Sequence, residues 1–242
     1  MNKTLLVLGS SSDFGLALIE KAQHEFDIII AHYFHMNPSL NALKEALGEK
    51  LQLVSVDFRQ QEETERFIEK IENEIGIPTH IVHLPASRVR SVNFHKSEWQ
   101  RVEDDINISL RSIYLILNRF IRFMAKEKHG KIVFMLTSCT VAPEKFMLDY
   151  TTVKFALLGF MKSLAAEYAA KGITVNAVSP AMVDTKFLRD LPHLHIEQAA
   201  DANPLKRIGV VDEIVPAIMF LLSDEAGYIT GQNLVISGGS AL

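Results

Sequence analysis

Short apolar runs rich in β-formers alternate with longer amphipathic segments along the whole chain. Thr4–Leu8, Asp27–Ala31, Leu51–Val56, His80–Leu84, Lys131–Leu136, Thr174–Val178 and Asn233–Ile236 read as strands. Gly15–Gln23, Leu40–Ala46, Glu62–Ile75, Trp99–Ala125, Asp149–Lys171 and Val211–Leu222 read as helices. Strands that are apolar almost throughout, interleaved with helices, predict a parallel sheet covered on both faces. Right-handed crossovers then give a doubly wound α/β fold of seven strands. No linker, repeat or low-complexity tract interrupts the alternation, so residues 1–242 are expected to form a single domain. The acidic run Glu62–Glu74 carries Phe67, Ile68 and Ile71 on one stripe, continued by Ile75. It reads as the solvated face of a helix.

Composition adds mainly exclusions. A hydrophobic content of 48% over 242 residues suffices for one large core. A net charge of −4 lacks the basic footprint of a nucleic-acid binder. Cys139 is the only cysteine, which rules out an internal disulfide and suits a reducing, cytoplasmic setting. The apolar run at Thr4–Leu8 ends at Gly9, too short for a secretory signal. No stretch approaches the ~18 to 20 apolar residues of a membrane span.

Two segments carry candidate chemistry. Tyr150 and Lys154 stand four apart in a helical pattern and so share a face. A neighbouring ammonium favours the phenolate. Bringing a phenol from ~10 to about 7 takes roughly 4 kcal/mol, at about 1.4 kcal/mol per pKa unit. Such a tyrosine could act as a general acid, although most Tyr/Lys pairs of this spacing are plain helix surface. The second segment is Gly9-Ser10-Ser11-Ser12-Asp13-Phe14-Gly15, between the first strand and the first helix. Backbone N–H groups and the helix dipole make such a turn a phosphate cradle. Gly9 would supply the tight turn and Gly15 the close helix packing. The bland alternative is an ordinary βα turn.

Taken together and in this order, these features resemble the short-chain dehydrogenase/reductase family over essentially the whole chain. The tail, with Asn203–Gly209, Tyr228–Gln232 and Gly238-Gly239, looks most like the 3-oxoacyl-(acyl-carrier-protein) reductase branch. The family's opening motif, Thr-Gly-x-x-x-Gly-x-Gly, stands here as Leu8 to Gly15 with Asp13 in the middle-glycine position, where it is expected to cap the helix. The resemblance assigns Gly9, Ser11, Ser12, Asp13, Phe14 and Gly15 to the cofactor, and places Asp57 and the Phe58 backbone at the adenine. Asn-Asn-Ala-Gly after the fourth strand is replaced by His83-Leu84-Pro85-Ala86. Pro85 and Ala86 keep the cofactor-facing role, and His83 is either an adenosine neighbour or a packed strand-end residue. Pro180, Val183 and Thr185 match the family's Pro-Gly-x-Val-x-Thr, which serves the carboxamide and the pyrophosphate. An acid at the end of the second strand usually binds the ribose of NAD. Ala31-His32-Tyr33-Phe34-His35-Met36-Asn37 holds none, so Tyr33, His35 and Asn37 fall at the adenosine end and NADPH is expected over NADH.

The activity implied is reduction of a ketone, a 3-oxoacyl thioester or similar carbonyl, with Tyr150 as proton donor. Lys154 would lower the phenol's pKa and hold the nicotinamide ribose, and Asn107 would hold a water chain to the lysine. The serine that steadies the substrate oxygen usually lies thirteen residues before the tyrosine. That spacing selects Thr137, while residue type selects Ser138. Residues 184–203, with Phe187, Leu188, Leu191, Leu194 and Ile196, read as a substrate lid. His193 and His195 do not share a helix face and do not suggest a metal. Lys128 and Lys171 match basic positions that dock an acyl carrier protein in the branch, with Arg119, Arg122 and Lys126 adding positive charge. Arg88 and Arg90 could meet a polar substrate group or simply lie at the surface. A homotetramer is expected by the same resemblance. The alternative is a non-catalytic, cofactor-binding family member acting as a sensor or oligomer partner, motivated by the departures at Asp13, His83–Pro85 and Thr137/Ser138. Retention of Tyr150, Lys154 and Asn107 argues against it.

Overall fold

In the first strand Leu5 and Val7 face one side while Leu6 and Leu8 face the other, and all four are fully buried. Side chains alternate across a strand, so a strand apolar at every position needs cover on both faces. The computed structural model describes residues 3–189 and 191–241. Its strands are β1 (Thr4–Leu8), β2 (Ile28–Tyr33), β3 (Leu51–Ser55), β4 (His80–His83), β5 (Gly130–Met135), β6 (Ile173–Pro180) and β7 (Asn233–Ile236). They form one sheet, all parallel, in the order β3-β2-β1-β4-β5-β6-β7. The order reverses between β1 and β4, the switch point where doubly wound folds bind ligands.

The helices are α1 (Asp13–Ala22), α2 (Pro38–Leu47), α3 (Gln61–Lys70), α4 (Trp99–Asp105), α5 (Ser112–Glu127), α6 (Leu148–Tyr168), α7 (His193–Ala202) and α8 (Val211–Leu222). Residues of α3, α5 and α6 pack on Leu6, Leu8, Ile81 and Ile132. On the other face α1, α2 and α8 pack on Leu5, Val7, Val82 and Val133.

Several boundaries differ from the sequence reading, three of them near the candidate site. β2 runs two residues further, because His32 and Tyr33 pair with Val54 and Ser55 of β3. The single helix expected over Trp99–Ala125 is broken by a π-helical stretch, Ile106–Arg111, in which the Ser112 N–H reaches back to the Asn107 carbonyl. Such wide turns commonly mark functional sites. Within the presumed lid, His193–Ala202 forms a helix that the sequence pattern did not declare.

Three strand histidines are buried: His32, His80 and His83. His32 Nδ1 accepts the Gly9 N–H at 3.1 Å, so its Nε2 carries the proton and donates to the Val56 carbonyl at 3.2 Å. Burial lowers His32 to about 4 and His80 to about 3, the latter aided by His129, Lys3 and Lys131. It takes His83 well below the usual range, with Lys154 and His32 adding to the effect. The unfolded chain takes up these protons near pH ~6.5, while the fold resists them. Stability is therefore fully present above pH ~6.5 and falls as the pH drops toward the folded values, by roughly 2 kcal/mol per histidine at pH 5. Urea midpoints at pH 7.5 and 5.0 should differ accordingly, and His32→Gln should flatten the difference. Equal midpoints at the two pH values would overturn this account.

Candidate active site

β1 ends at the switch point and its chain turns sharply at Gly9, with φ +84°. Ser12 is the N-cap of α1: its Oγ accepts the Gly15 N–H at 3.1 Å and donates to the Gly9 carbonyl at 2.7 Å. A Cβ on Gly15 would lie 2.6 Å from the Ser10 Cα and 2.7 Å from the Gly9 oxygen. The helix start thus presses against the turn, as a phosphate cradle requires. Asp13 is not the cap. Its carboxylate accepts the Lys186 backbone N–H at 2.6 Å and pairs with the Lys186 ammonium at 3.4 Å. Asn37 caps α2 through Leu40 N–H at 2.8 Å and donates to the Ser11 carbonyl at 2.7 Å, so it braces the cradle from β2's side. A dinucleotide fits this turn: the helix N-terminus faces it and no side chain fills it at Gly9 or Gly15.

At the end where the adenosine is expected, Tyr33 is half-buried, whereas Phe34 and His35 are exposed. The Asp57 carboxylate is gripped by Arg59, Nε to Oδ1 at 3.0 Å and Nη2 to Oδ2 at 2.7 Å, which holds it below the usual carboxylate range. The same guanidinium sits 5.1 Å from the Phe34 ring centre. Arg111 donates to the Phe58 and Arg59 carbonyls at 3.1 and 2.8 Å and fixes that loop. Arg59 was missed by the sequence reading, which sought a base only at the end of β2. Its signal was the Asp57-Phe58-Arg59 run at a strand end. Pro85 is tied through its carbonyl to Ser109 Oγ at 3.2 Å, Ala86 is half-buried beside it, and His83 is packed near the Phe134 ring at 5.7 Å. Pro180 closes β6, Val183 bridges to Gly209, and Thr185 donates to the Val183 carbonyl at 3.3 Å.

At the opposite end of the cleft, the first turns of α6 bring Tyr150 and Lys154 together. Lys154 is buried, with its Nζ donating to the Met135 carbonyl at 2.8 Å and lying 5.6 Å from the Tyr150 ring centre. Of the two candidate hydroxyls, Thr137 faces the phenol and also accepts the Cys139 N–H at 3.3 Å. That is the residue that the thirteen-residue spacing selects, whereas residue type selects Ser138. Burial pushes the Tyr150 phenol above its ordinary value, and Lys154 is lowered to about 8 by the same cause. This reverses the expectation that Lys154 draws the phenol toward neutrality: the ammonium is engaged by a backbone carbonyl, and desolvation dominates. Asn107 lies half-buried in the π-helical stretch. Asp105, just before it, was also missed. It faces both Tyr150 and Lys154, and burial raises its carboxyl above the usual range. From the expected lid, Phe187 places its ring 6.5 Å from that of Tyr150.

Other candidates lie elsewhere. Lys128 and Lys171 precede β5 and β6, at the sheet edge opposite Tyr150. Arg119 is paired with Glu72 at 2.6 Å, and Arg122 stacks on Phe123. His193 pairs with Glu197 at 3.2 Å. Among the described residues no three His, Cys, Asp or Glu side chains gather as a metal would need, and no helix is long and apolar enough to cross a membrane.

The model of a family described as enoyl-(acyl carrier protein) reductase matches residues 15–241. The chain belongs to the short-chain dehydrogenase/reductase family. It is 30% identical over 237 residues to a 3-oxoacyl-(acyl-carrier-protein) reductase of Escherichia coli, covering 98% of this chain and 96% of that protein. Nodulation protein G of Azospirillum brasilense is 30% identical over 240 residues, 98% of this chain and 97% of that protein. A Buchnera aphidicola 3-oxoacyl-(acyl-carrier-protein) reductase is 37% identical over 148 residues, which is 61% of this chain and 59% of that relative's length. Among solved structures, a 3-oxoacyl (acyl-carrier-protein) reductase from Agrobacterium tumefaciens with NADP bound superposes with a TM-score of 0.88 at 23% identity, over 98% of this chain and 93% of that one. As a short-chain dehydrogenase/reductase the chain is an NAD(P)-dependent oxidoreductase. The close approach at Gly15 makes a simple test of the cradle. Gly15→Ala should lower stability by about 1 to 3 kcal/mol through forced backbone movement and weaken dinucleotide binding, read by thermal melts and cofactor fluorescence. A variant with unchanged melting and affinity would contradict the contact geometry.

Proposed function

We propose that this short-chain dehydrogenase/reductase uses NADPH to reduce a ketone to an alcohol, with 3-oxoacyl thioesters as the substrate class. The convergence of Thr137, Tyr150 and Lys154 at the C-terminal ends of β5 and α6's first turns carries the proposal. When bound, the nicotinamide supplies the hydride. Tyr150 is half-buried, and desolvation raises a phenol that is already protonated at neutral pH, so it can donate that proton to the developing alkoxide. Thr137 holds the carbonyl oxygen beside the phenol. Lys154, with its pKa near 8, is mainly charged at pH 7 and offsets the phenolate left behind. Asn107 holds the water chain that returns the proton. Phe187 covers the reacting end, and residues 184–203 act as the lid over an apolar substrate tail.

The relatives named as 3-oxoacyl-(acyl-carrier-protein) reductases support the thioester class. Carrier docking at Lys128 and Lys171 would have to span the six residues of β5 within one chain, roughly 20 Å at ~3.3 Å per residue. Those lysines are therefore given no part in placing the substrate in the same chain. Exposed Trp99, Tyr114 and Phe155 on α4, α5 and α6 support a homo-oligomer, as the expected tetramer would require.

Tyr150→Phe should retain NADPH binding and lose about 10²- to 10⁴-fold in kcat for acetoacetyl thioester reduction. Lys154 loses its proton as the pH rises through about 8, so kcat/KM should fall above that pH, and Lys154→Met should abolish that limb. A Tyr150→Phe enzyme as fast as wild type would end the proposal. NADPH preference rests on the absence of an acid at the end of β2 and on Arg59 beside Phe34. Arg59→Ala should weaken NADPH by about tenfold or more, the scale of a lost charge-assisted bond, and leave NADH nearly unchanged. Equal losses for both cofactors would remove Arg59 from phosphate recognition.

A further inference from the structure

Asp13 stands in the first turn of α1, at the mouth of the cradle, where a carboxylate opposes a pyrophosphate. It is the residue of the opening motif that least suits the proposed cofactor. Yet it is only 22% exposed in its side chain, and both of its oxygens are engaged by one residue from the loop after β6. Oδ2 accepts the Lys186 backbone N–H at 2.6 Å, and Oδ1 lies 3.4 Å from the Lys186 ammonium. The two residues are 173 positions apart in sequence, and the contact joins the cradle on α1 to the segment that carries Thr185 and Phe187.

We infer that Lys186 is a cofactor-positioning residue: its ammonium neutralises Asp13 and so makes the cradle able to accept a dinucleotide pyrophosphate. The inference rests on the dinucleotide reading above and adds the residue that makes the acid tolerable there. Three features support it. The backbone bond turns the Asp13 carboxylate toward the β6 loop, so its orientation does not depend on the ammonium. The ammonium then supplies a full compensating charge within contact distance of the acid. Lys186 is half-exposed and makes no other ion pair among the described residues, so removing it leaves Asp13 as the sole uncompensated charge of the pair.

The test is a double-mutant cycle on cofactor affinity, read by NADPH fluorescence with no turnover involved. Lys186→Met in the wild-type background should weaken NADPH binding by about tenfold, between the limits that Coulomb's law sets for water and for a protein surface. Asp13→Asn keeps an oxygen for the Lys186 N–H and removes the charge, so it should bind at least as tightly as wild type. In that background Lys186→Met should change affinity by less than about twofold. Raising the salt to 1 M, where the Debye length is about 3 Å, should shrink the effect of Lys186→Met in the wild-type background. A role confined to holding the loop would instead give the same loss in both backgrounds and at both salt concentrations, and that result overturns the inference. No loss on Lys186→Met overturns it too. Wild-type protein that binds neither NADPH nor NADH would sink the functional proposal and this inference together. Tight wild-type binding without coupling between Asp13 and Lys186 would sink only the inference.

Discussion

A parallel sheet buried on both faces sends the chain out of every strand at the same edge, and the whole site depends on that constraint. Gly9 follows β1, Phe34 follows β2, Asp57 follows β3, Pro85 follows β4, Thr137 follows β5 and Val183 follows β6. None of these residues is near another in sequence. The register of seven strands aligns them, and the two apolar layers hold the register because a slip of one residue would exchange the faces. The fully buried residues of β1 make this concrete: Leu5 and Val7 serve one layer, Leu6 and Leu8 the other.

Burial also governs the proton chemistry, and it does so in opposite senses for the two central residues. Desolvation disfavours the charged form of each group. It raises the Tyr150 phenol still further from neutral pH and loosens the proton on Lys154, whose value falls to about 8. An attraction between phenolate and ammonium is therefore not the resting arrangement. The resting pair is a neutral phenol beside an ammonium anchored on the Met135 carbonyl, and in the proposed reaction the charge on the tyrosine would appear only during turnover. On that proposal the interaction with Lys154 would be stronger in the transition state than before it, which is the condition for catalysis as opposed to binding. Asp105 raises both values slightly from its side of the cleft.

The fold was legible because its signal is periodic and repeated: each strand's apolar run and each helix's stripe stood out singly. The Tyr150/Lys154 pair and the Gly9 to Gly15 turn were legible because their spacing is local. What could not be read are contacts between residues far apart in sequence whose types are common. Nothing in the sequence singled out Arg59, which the fold brings beside Phe34. His32 broke the apolar pattern and cut β2 short in the sequence reading, yet it is a core residue that fastens Gly9. In the π-helical stretch at Asn107 the backbone bonding is displaced by one residue, and no side-chain pattern announces such a shift. His193–Ala202 was missed for a different reason: its apolar face is weak and none of its residues is fully buried.

The ionisable residues along the expected cofactor cleft, Asp13 and His83 among them as departures from the family pattern, follow a common physical rule. Asp13 is answered by Lys186 across 173 positions, and Asp57 by Arg59 two residues on. His83, in the place of an amide, remains neutral because it is sealed from solvent beside Phe134. Each of these groups is thus held in a state without uncompensated charge, by a partner where the site is open and by desolvation where it is closed. The choice between the two follows from dielectric: a pair at an exposed edge costs little to keep ionised, whereas the same pair in the core would have to recover a large desolvation cost. A cleft that must receive an anion can carry acids on these terms only at its rim. That is where Asp13 and Asp57 stand, while the interior of the cleft holds a phenol, a hydroxyl, one buried ammonium and the Asp105 carboxyl, which burial pushes toward its neutral form.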